Sequence, residues 1–175
     1  MNVFVVYATR YGSTKGIAEF IADVLRKHGI GAEVRSVDQA INPEEYDAVV
    51  IGSAVYMGHW LEAASEFVRR NCTALANRPV WLFSSGPLGL GRDISGTNDP
   101  ELEPKEIVTL QETIHPRDHR IFFGALDPKA LGFTHRMIRK LPAARAILPE
   151  GDFRNWDDIA TWVDSIARAL APATG

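Results

Sequence analysis

Three short segments of this chain concentrate the residue types that hold anions and polar rings. The first is Thr9-Arg10-Tyr11-Gly12-Ser13-Thr14, set between an apolar run and an amphipathic stretch. A helix that starts here leaves its first backbone N–H groups without intrahelical partners, and a phosphate can accept them. Thr9, Ser13 and Thr14 add hydroxyl donors, and Gly12 permits close backbone approach. The same residues also suit an ordinary turn in which Ser13 or Thr14 caps the helix and no ligand is involved. The spacing departs from a Walker A loop, because Lys15 follows Ser13-Thr14 instead of preceding the hydroxyl, and the triple-glycine dinucleotide fingerprint is missing. A monophosphate fits this loop better than a triphosphate or a dinucleotide.

Ser53-Ala54-Val55-Tyr56-Met57-Gly58 follows a second apolar run, and Ser84-Ser85-Gly86-Pro87-Leu88-Gly89 follows a third. A planar ligand can lie against the backbone of the former beside Tyr56 or Trp60, with Gly58 relieving crowding. The exposed amides of the latter can meet polar ring atoms. His59, directly after Gly58, is the candidate for handling a substrate proton, since an imidazole titrates near neutral pH. A plain exposed loop position explains it too. His115 and His119 are four residues apart, but Pro116 disfavours a shared helical face, so both are expected as solvated loop residues and no metal site is expected. The single cysteine, Cys72, excludes an internal disulfide and, among Phe67, Val68 and Leu75, reads as packing or incidental exposure in preference to redox chemistry.

The elements that must position these segments alternate along the chain. Apolar runs at 3–8, 32–37, 46–52, 79–83 and 121–126 read as strands, the central ones of the type buried on both faces. Ile17, Phe20, Ile21, Val24 and Leu25 share a helical face, as do Leu61, Ala64 and Phe67 or Val68 within 60–70. Residues 101–114 contain a further helical pattern. Ile159, Trp162, Val163, Ile166 and Leu170 form the stripe of a last helix at 156–170, with Asn155 or Asp157 as its cap. Strands alternating with helices predict an α/β fold, a parallel sheet covered on both sides. Right-handed crossovers then gather the three segments at one sheet edge. The expected strand order is 2-1-3-4-5. One domain over 1–172 is expected, with irregular additions around 88–120 and 127–152.

At 175 residues with 46% hydrophobic composition, the chain is long enough for a substantial core. A formal charge of −3 argues against general nucleic-acid binding. The chain opens directly on Val3-Phe4-Val5-Val6-Tyr7, without a basic leader, and a cytoplasmic protein is expected. Charge is uneven: Arg136, Arg139, Lys140 and Arg145 lie late in the chain. They read either as the wet side of a helix or as a contact for an anionic group, including peripheral contact with anionic lipid at the inner face of a membrane. Phe133, Met137, Ile138 and Leu141 would supply the apolar counterpart.

Ala8-Thr9-Arg10-Tyr11-Gly12-Ser13-Thr14, Gly52-Ser53-Ala54-Val55-Tyr56-Met57-Gly58 and Ser84-Ser85-Gly86-Pro87 together resemble the flavodoxin family, over residues 2 to about 170. The resemblance implies a three-layer α/β/α sandwich around a five-stranded parallel sheet. It also implies an FMN site in which Thr9, Arg10, Tyr11, Gly12, Ser13 and Thr14 hold the phosphate. Ser53, Ala54, Val55, Tyr56, Met57 and Gly58, with Ser84, Ser85, Gly86, Pro87, Leu88 and Gly89, would flank the flavin ring. Within that family the chain is similar to flavodoxin-type, menaquinone-dependent protoporphyrinogen dehydrogenases, through the Thr-Arg-x-Gly pattern of the first loop, Phe123-Gly124-Ala125-Leu126, the basic segment 136–140 and Phe153-Arg154-Asn155-Trp156-Asp157. The proline- and glycine-rich third loop departs from that subgroup. Flavodoxin-like proteins that use the deazaflavin F420 are similar as well, and Arg10, Lys15, Arg92 or the late basic cluster would meet its anionic tail. The implied activity is an FMN-dependent oxidoreductase acting between a conjugated organic substrate and a quinone-like acceptor. The alternatives are an F420-dependent reductase and an electron carrier working through a redox partner protein.

Overall fold

Valine and isoleucine crowd three segments of the chain, and these become the sheet centre. In the computed structural model, which describes residues 1–40, 42–86, 103–126 and 151–171, β1 (Asn2–Ala8) buries every residue after Asn2. β3 (Ala48–Tyr56) is buried as far as Ala54, and β5 (Val80–Ser85) throughout. Continuous apolar runs of this kind belong to parallel strands covered on both faces. The outer strands, β2 (Gly31–Ser36) and β6 (Asp118–Phe122), carry alternating charged residues and are less buried.

The parallel order is β2-β1-β3-β5-β6. That is the expected 2-1-3-4-5 once β4 (His59–Trp60), a short antiparallel partner of β3, is set aside. On one face, α1 (Ser13–Lys27) and α5 (Trp156–Leu170) bring Ile17, Ile21, Val163 and Ile166 against Val3, Val5 and Phe83. On the other, α2 (Glu62–Arg70), α3 (Cys72–Ala76) and α4 (Glu106–Ile114) bring Phe67, Leu75 and Ile107 against Phe4, Val6 and Leu82. Asn155 caps α5 by accepting the Asp158 N–H at 3.2 Å.

Several boundaries differ from those read in the sequence. The second helix starts at Glu62 instead of residue 60, because Trp60 pairs with Val55 across the β3–β4 hairpin. The last strand of the sheet occupies 118–122, not 121–126; Asp118, His119 and Arg120 are polar, and their strand geometry comes from pairing with β5. The helical pattern read within 101–114 is α4, which starts only at Glu106. After Phe122 the chain forms β7 (Ala125–Leu126), paired antiparallel with β8 (Gly151–Asp152).

His119 corrects an expectation most sharply. It is not a solvated loop histidine but a buried strand residue, 5% exposed, with both ring nitrogens engaged. The Trp60 indole N–H donates to Ser84 Oγ at 2.8 Å, and Ser84 Oγ lies 2.8 Å from His119 Nε2. The Glu103 carboxylate, 3.3 Å from Nδ1, can only accept, so the neutral imidazole carries its proton on Nδ1 and its Nε2 accepts from the Ser84 hydroxyl. This directed chain ties β4, β5 and β6 together at the sheet edge. Burial holds the His119 pKa down to about 4, against the opposing pull of Asp118.

Gly52 shows how tightly the centre is packed: a Cβ added there would lie 2.0 Å from Phe83 Cζ. Gly52→Ala should therefore cost about 1–3 kcal/mol of stability, read from denaturant unfolding, with part of the loss recovered in a Gly52→Ala/Phe83→Leu double variant. Unchanged stability in the single variant would contradict this packing. A second expectation concerns acid. Above pH 6.5, His119 is neutral in both folded and unfolded chains, so it adds no pH dependence. Between pH 6.5 and about 4 the unfolded chain takes up the proton and the folded one does not, so stability falls. The loss approaches about 3 kcal/mol near pH 4. Urea midpoints measured across that range should flatten in His119→Gln; an equal slope in both proteins would assign the acid sensitivity elsewhere.

Candidate functional site

The first segment lies between the end of β1 and the start of α1. Gly12 is the residue before the helix, at φ +89°, a conformation that favours glycine, and no side chain caps the helix. The capping role considered for Ser13 and Thr14 is thus not used. Thr9 Oγ1 accepts the Gly12 N–H at 3.0 Å, which tightens the turn. Ser13 Oγ accepts the Ala125 N–H at 2.8 Å and sits 3.5 Å from Ser85 Oγ. Thr14 is fully buried and its Oγ1 has no hydrogen-bond partner among the described residues. A buried hydroxyl without a partner is unfavourable by itself, and here it stands in the first turn of an uncapped helix. Arg10 is held differently from the hydroxyls: its Cζ lies 5.9 Å from the Tyr11 ring centroid and 5.4 Å from that of Tyr56.

The second segment is more regular than expected. Ser53, Ala54, Val55 and Tyr56 belong to β3, and the turn itself is Met57-Gly58, with φ +52° and +77°. Two successive positive φ values are those of the tight hairpin turn whose twist matches the strands. Gly58 meets this requirement without strain, whereas Met57 does so with its side chain 98% exposed. The turn is fastened from outside, because Gly58 O accepts the Lys105 N–H at 3.1 Å. One oxygen of Glu106 lies 2.7 Å from His59 Nδ1, and the other accepts the Trp60 N–H at 3.0 Å. Desolvation raises the Glu106 pKa, but the Trp60 N–H and His59 outweigh it and leave the carboxyl below its ordinary value. Desolvation pushes the Tyr56 phenol up to about 12, so it stays neutral beside Arg10. The Ser53 hydroxyl donates to Ala54 O and accepts the Leu61 N–H, both at 3.0 Å.

The third segment starts within β5. Ser84 Oγ is committed to Trp60 and His119, and Ser85 turns to the opposite side, toward Ser13. Gly86, at φ +120°, donates its N–H to Phe122 O at 2.9 Å. Pro87, Leu88 and Gly89 lie outside the described residues, as do Arg92 and the basic cluster Arg136, Arg139 and Lys140.

Register brings the three segments together. Ala8 pairs with Ser53, Ser53 with Ser84, and Ser84 with Ile121, so the strands end in step at one edge. β1 lies between β2 and β3, and the chain directions that leave it diverge there. Ligands of open α/β sheets bind in the crevice at such a switch point. What the arrangement can do follows from which donors remain: Thr14 Oγ1 and the first-turn amides suit a phosphate, while Ser53 and Ser84 brace the protein and leave ring contacts to backbone groups. Sequence reasoning missed Glu103 and Glu106, far along the chain from the hairpin. For Glu106 the local signal was an acidic residue in the first turn of α4, whereas Glu103 precedes that helix. It also missed Ala125, whose backbone contact with Ser13 has no side-chain signature.

Comparison with known proteins agrees with this geometry. The flavodoxin domain model matches residues 4–146. Protoporphyrinogen IX dehydrogenase [quinone] of Escherichia coli K12 is 37% identical over 86 residues, 48% of this chain and 48% of that protein. The chain thus aligns with about half the length of the curated relatives it matches. Among solved structures, rubredoxin oxygen:oxidoreductase of Desulfovibrio gigas superposes with a TM-score of 0.61 at 14% identity, over 97% of this chain and 36% of that one. A flavodoxin from the domain Archaea superposes with a TM-score of 0.53 at 18% identity, over 94% and 99% of the two chains. Among the described residues no helix is long and apolar enough to cross a membrane. With the strand order, the uncapped first helix and a family match over most of its length, the chain belongs to the flavodoxin family.

Proposed function

We propose that this chain is an FMN-dependent oxidoreductase that moves electrons between a conjugated organic substrate and a quinone-like acceptor, with oxidation of protoporphyrinogen as its most specific version. The observation that carries the cofactor assignment is Thr14 Oγ1, a buried, unpartnered hydroxyl in the first turn of an uncapped helix. The phosphate of FMN would complete it together with the amides of that turn. The substrate assignment draws support from the partial match to the quinone-linked dehydrogenase.

FMN, when bound, supplies the redox centre, and the protein supplies its position and surroundings. Thr14 and the start of α1 hold the phosphate end. The hairpin backbone from Ala54 to Gly58 and the amides at Ser85 and Gly86 border the ring end. Glu106 fixes His59 through Nδ1, which leaves Nε2 as the nitrogen that exchanges a proton with substrate. The pairing follows the logic of an imidazole oriented by a carboxylate.

Flavin binding is testable on the purified chain by the flavin absorbance bands at about 370 and 450 nm, a property of the chromophore that the protein only tunes. Thr14→Val should weaken FMN binding about tenfold, because one charge-assisted hydrogen bond is lost. The same substitution should leave the flavin-free protein as stable as before or more so, since it removes a buried polar atom. Unaltered FMN affinity together with reduced stability would show that the hydroxyl is structural. His59→Gln should retain FMN and slow turnover of an organic donor with a menaquinone analogue by at least about 100-fold. An electron carrier would behave otherwise, cycling its flavin only with donor and acceptor proteins present and indifferent to His59.

A further inference from the structure

Beside the crevice, the end of the hairpin and the first loop carry features that holding a phosphate leaves unused. The Arg10 guanidinium lies against the rings of Tyr11 and Tyr56, which meet edge to face at 6.3 Å. Among the described residues none accepts a hydrogen bond from it, so its five N–H donors remain open to an incoming acceptor. Neighbouring cations are already paired: Lys15 with Glu19, and Arg154 with Asp152. The hold on Tyr56 draws Arg10 to the end of β3, while Thr14 remains for the phosphate at the start of α1.

Met57 adds a second observation. Its left-handed backbone, φ +52°, is uncommon for a long side chain and persists because Lys105 and Glu106 fasten the turn. The result is a thioether 98% exposed on a fastened backbone, directly after Tyr56. Methionine adapts to flat surfaces and makes favourable contacts with aromatic rings. A guanidinium stacked on aromatic rings is planar, weakly hydrated and preorganised to grip a carboxylate through two parallel hydrogen bonds.

We propose that Arg10, Tyr11, Tyr56 and Met57 form the anchoring patch for a flat, conjugated organic carboxylate, with Arg10 gripping the carboxylate and Met57 and the tyrosines lying against the conjugated plane. This rests on the flavin oxidoreductase reading and adds to it the residue that selects an acidic ligand, the flat conjugated macrocycle being the oxidised form that the reaction yields. It separates Arg10 from the phosphate site.

The test compares two probes with the same ring, protoporphyrin IX and its dimethyl ester, in neutral detergent micelles, titrated by fluorescence against FMN-loaded protein. FMN retention is read first, by absorbance. The wild type should bind the acid about tenfold more tightly than the ester. Arg10→Gln should bind the acid as weakly as the ester while its FMN affinity stays within about twofold of wild type. Arg10→Lys should recover only part of the preference, because lysine lacks the planar fork. Met57→Ser should weaken acid and ester alike. Equal binding of acid and ester by wild type, or an intact preference in Arg10→Gln, would overturn the proposal. So would a loss of FMN affinity in Arg10→Gln that leaves the acid preference intact, which would return Arg10 to the phosphate. A wild-type chain that retains no FMN would overturn the flavin reading itself, and the inference with it.

Discussion

A parallel sheet covered by helices on both faces offers a ligand almost nothing except its edge, and this constraint shapes the rest of the molecule. β1, β3 and β5 are buried on both sides, so their backbone and side chains can meet another molecule only where they end. The parallel register makes them end in step, and three segments far apart in sequence become neighbours. The same burial is demanding on the polar groups found there. Each hydroxyl near the strand ends must find a partner within the protein or from a ligand.

The structure divides these hydroxyls into two kinds. Thr9, Ser13, Ser53 and Ser84 are engaged with protein groups and fix the loops relative to one another. Among the described residues Thr14 has no partner, and none caps the helix that carries it with a side chain. A binding loop needs both kinds: braced residues preorganise it, and a group left over provides the attraction. Ser84 illustrates the first kind, since its position between Trp60 and His119 makes it a joint between strands.

The β3–β4 hairpin is the second rigid part of the edge. Two residues in left-handed conformation form its turn, and backbone and carboxylate contacts from the start of α4 keep it in place. Rigidity at this point serves the proposed chemistry. It presents an oriented imidazole, a stacked guanidinium and an exposed thioether from a frame that cannot easily relax around them. The start of α4, through Lys105 and Glu106, therefore fixes the hairpin, while Glu103 just before it holds His119.

Much of this was legible in the sequence. Continuous apolar runs gave β1, β3 and β5, and periodic stripes gave α1 and α5, because burial on both faces or along one helical face leaves an unmistakable pattern. The glycine- and hydroxyl-rich composition of the first segment marked it as the candidate for an anion, and the structure adds that its Thr14 hydroxyl has no partner among the described residues. Asp118-His119-Arg120 did not read as a strand, since an edge strand of alternating polarity owes its conformation to the neighbour it pairs with. Composition alone named the first loop's donors. Only the tertiary structure decided which remain: whether a hydroxyl is free depends on what the fold brings within hydrogen-bond distance, and for Ser13 and Ser84 those partners, Ala125 and His119, lie 112 and 35 residues away.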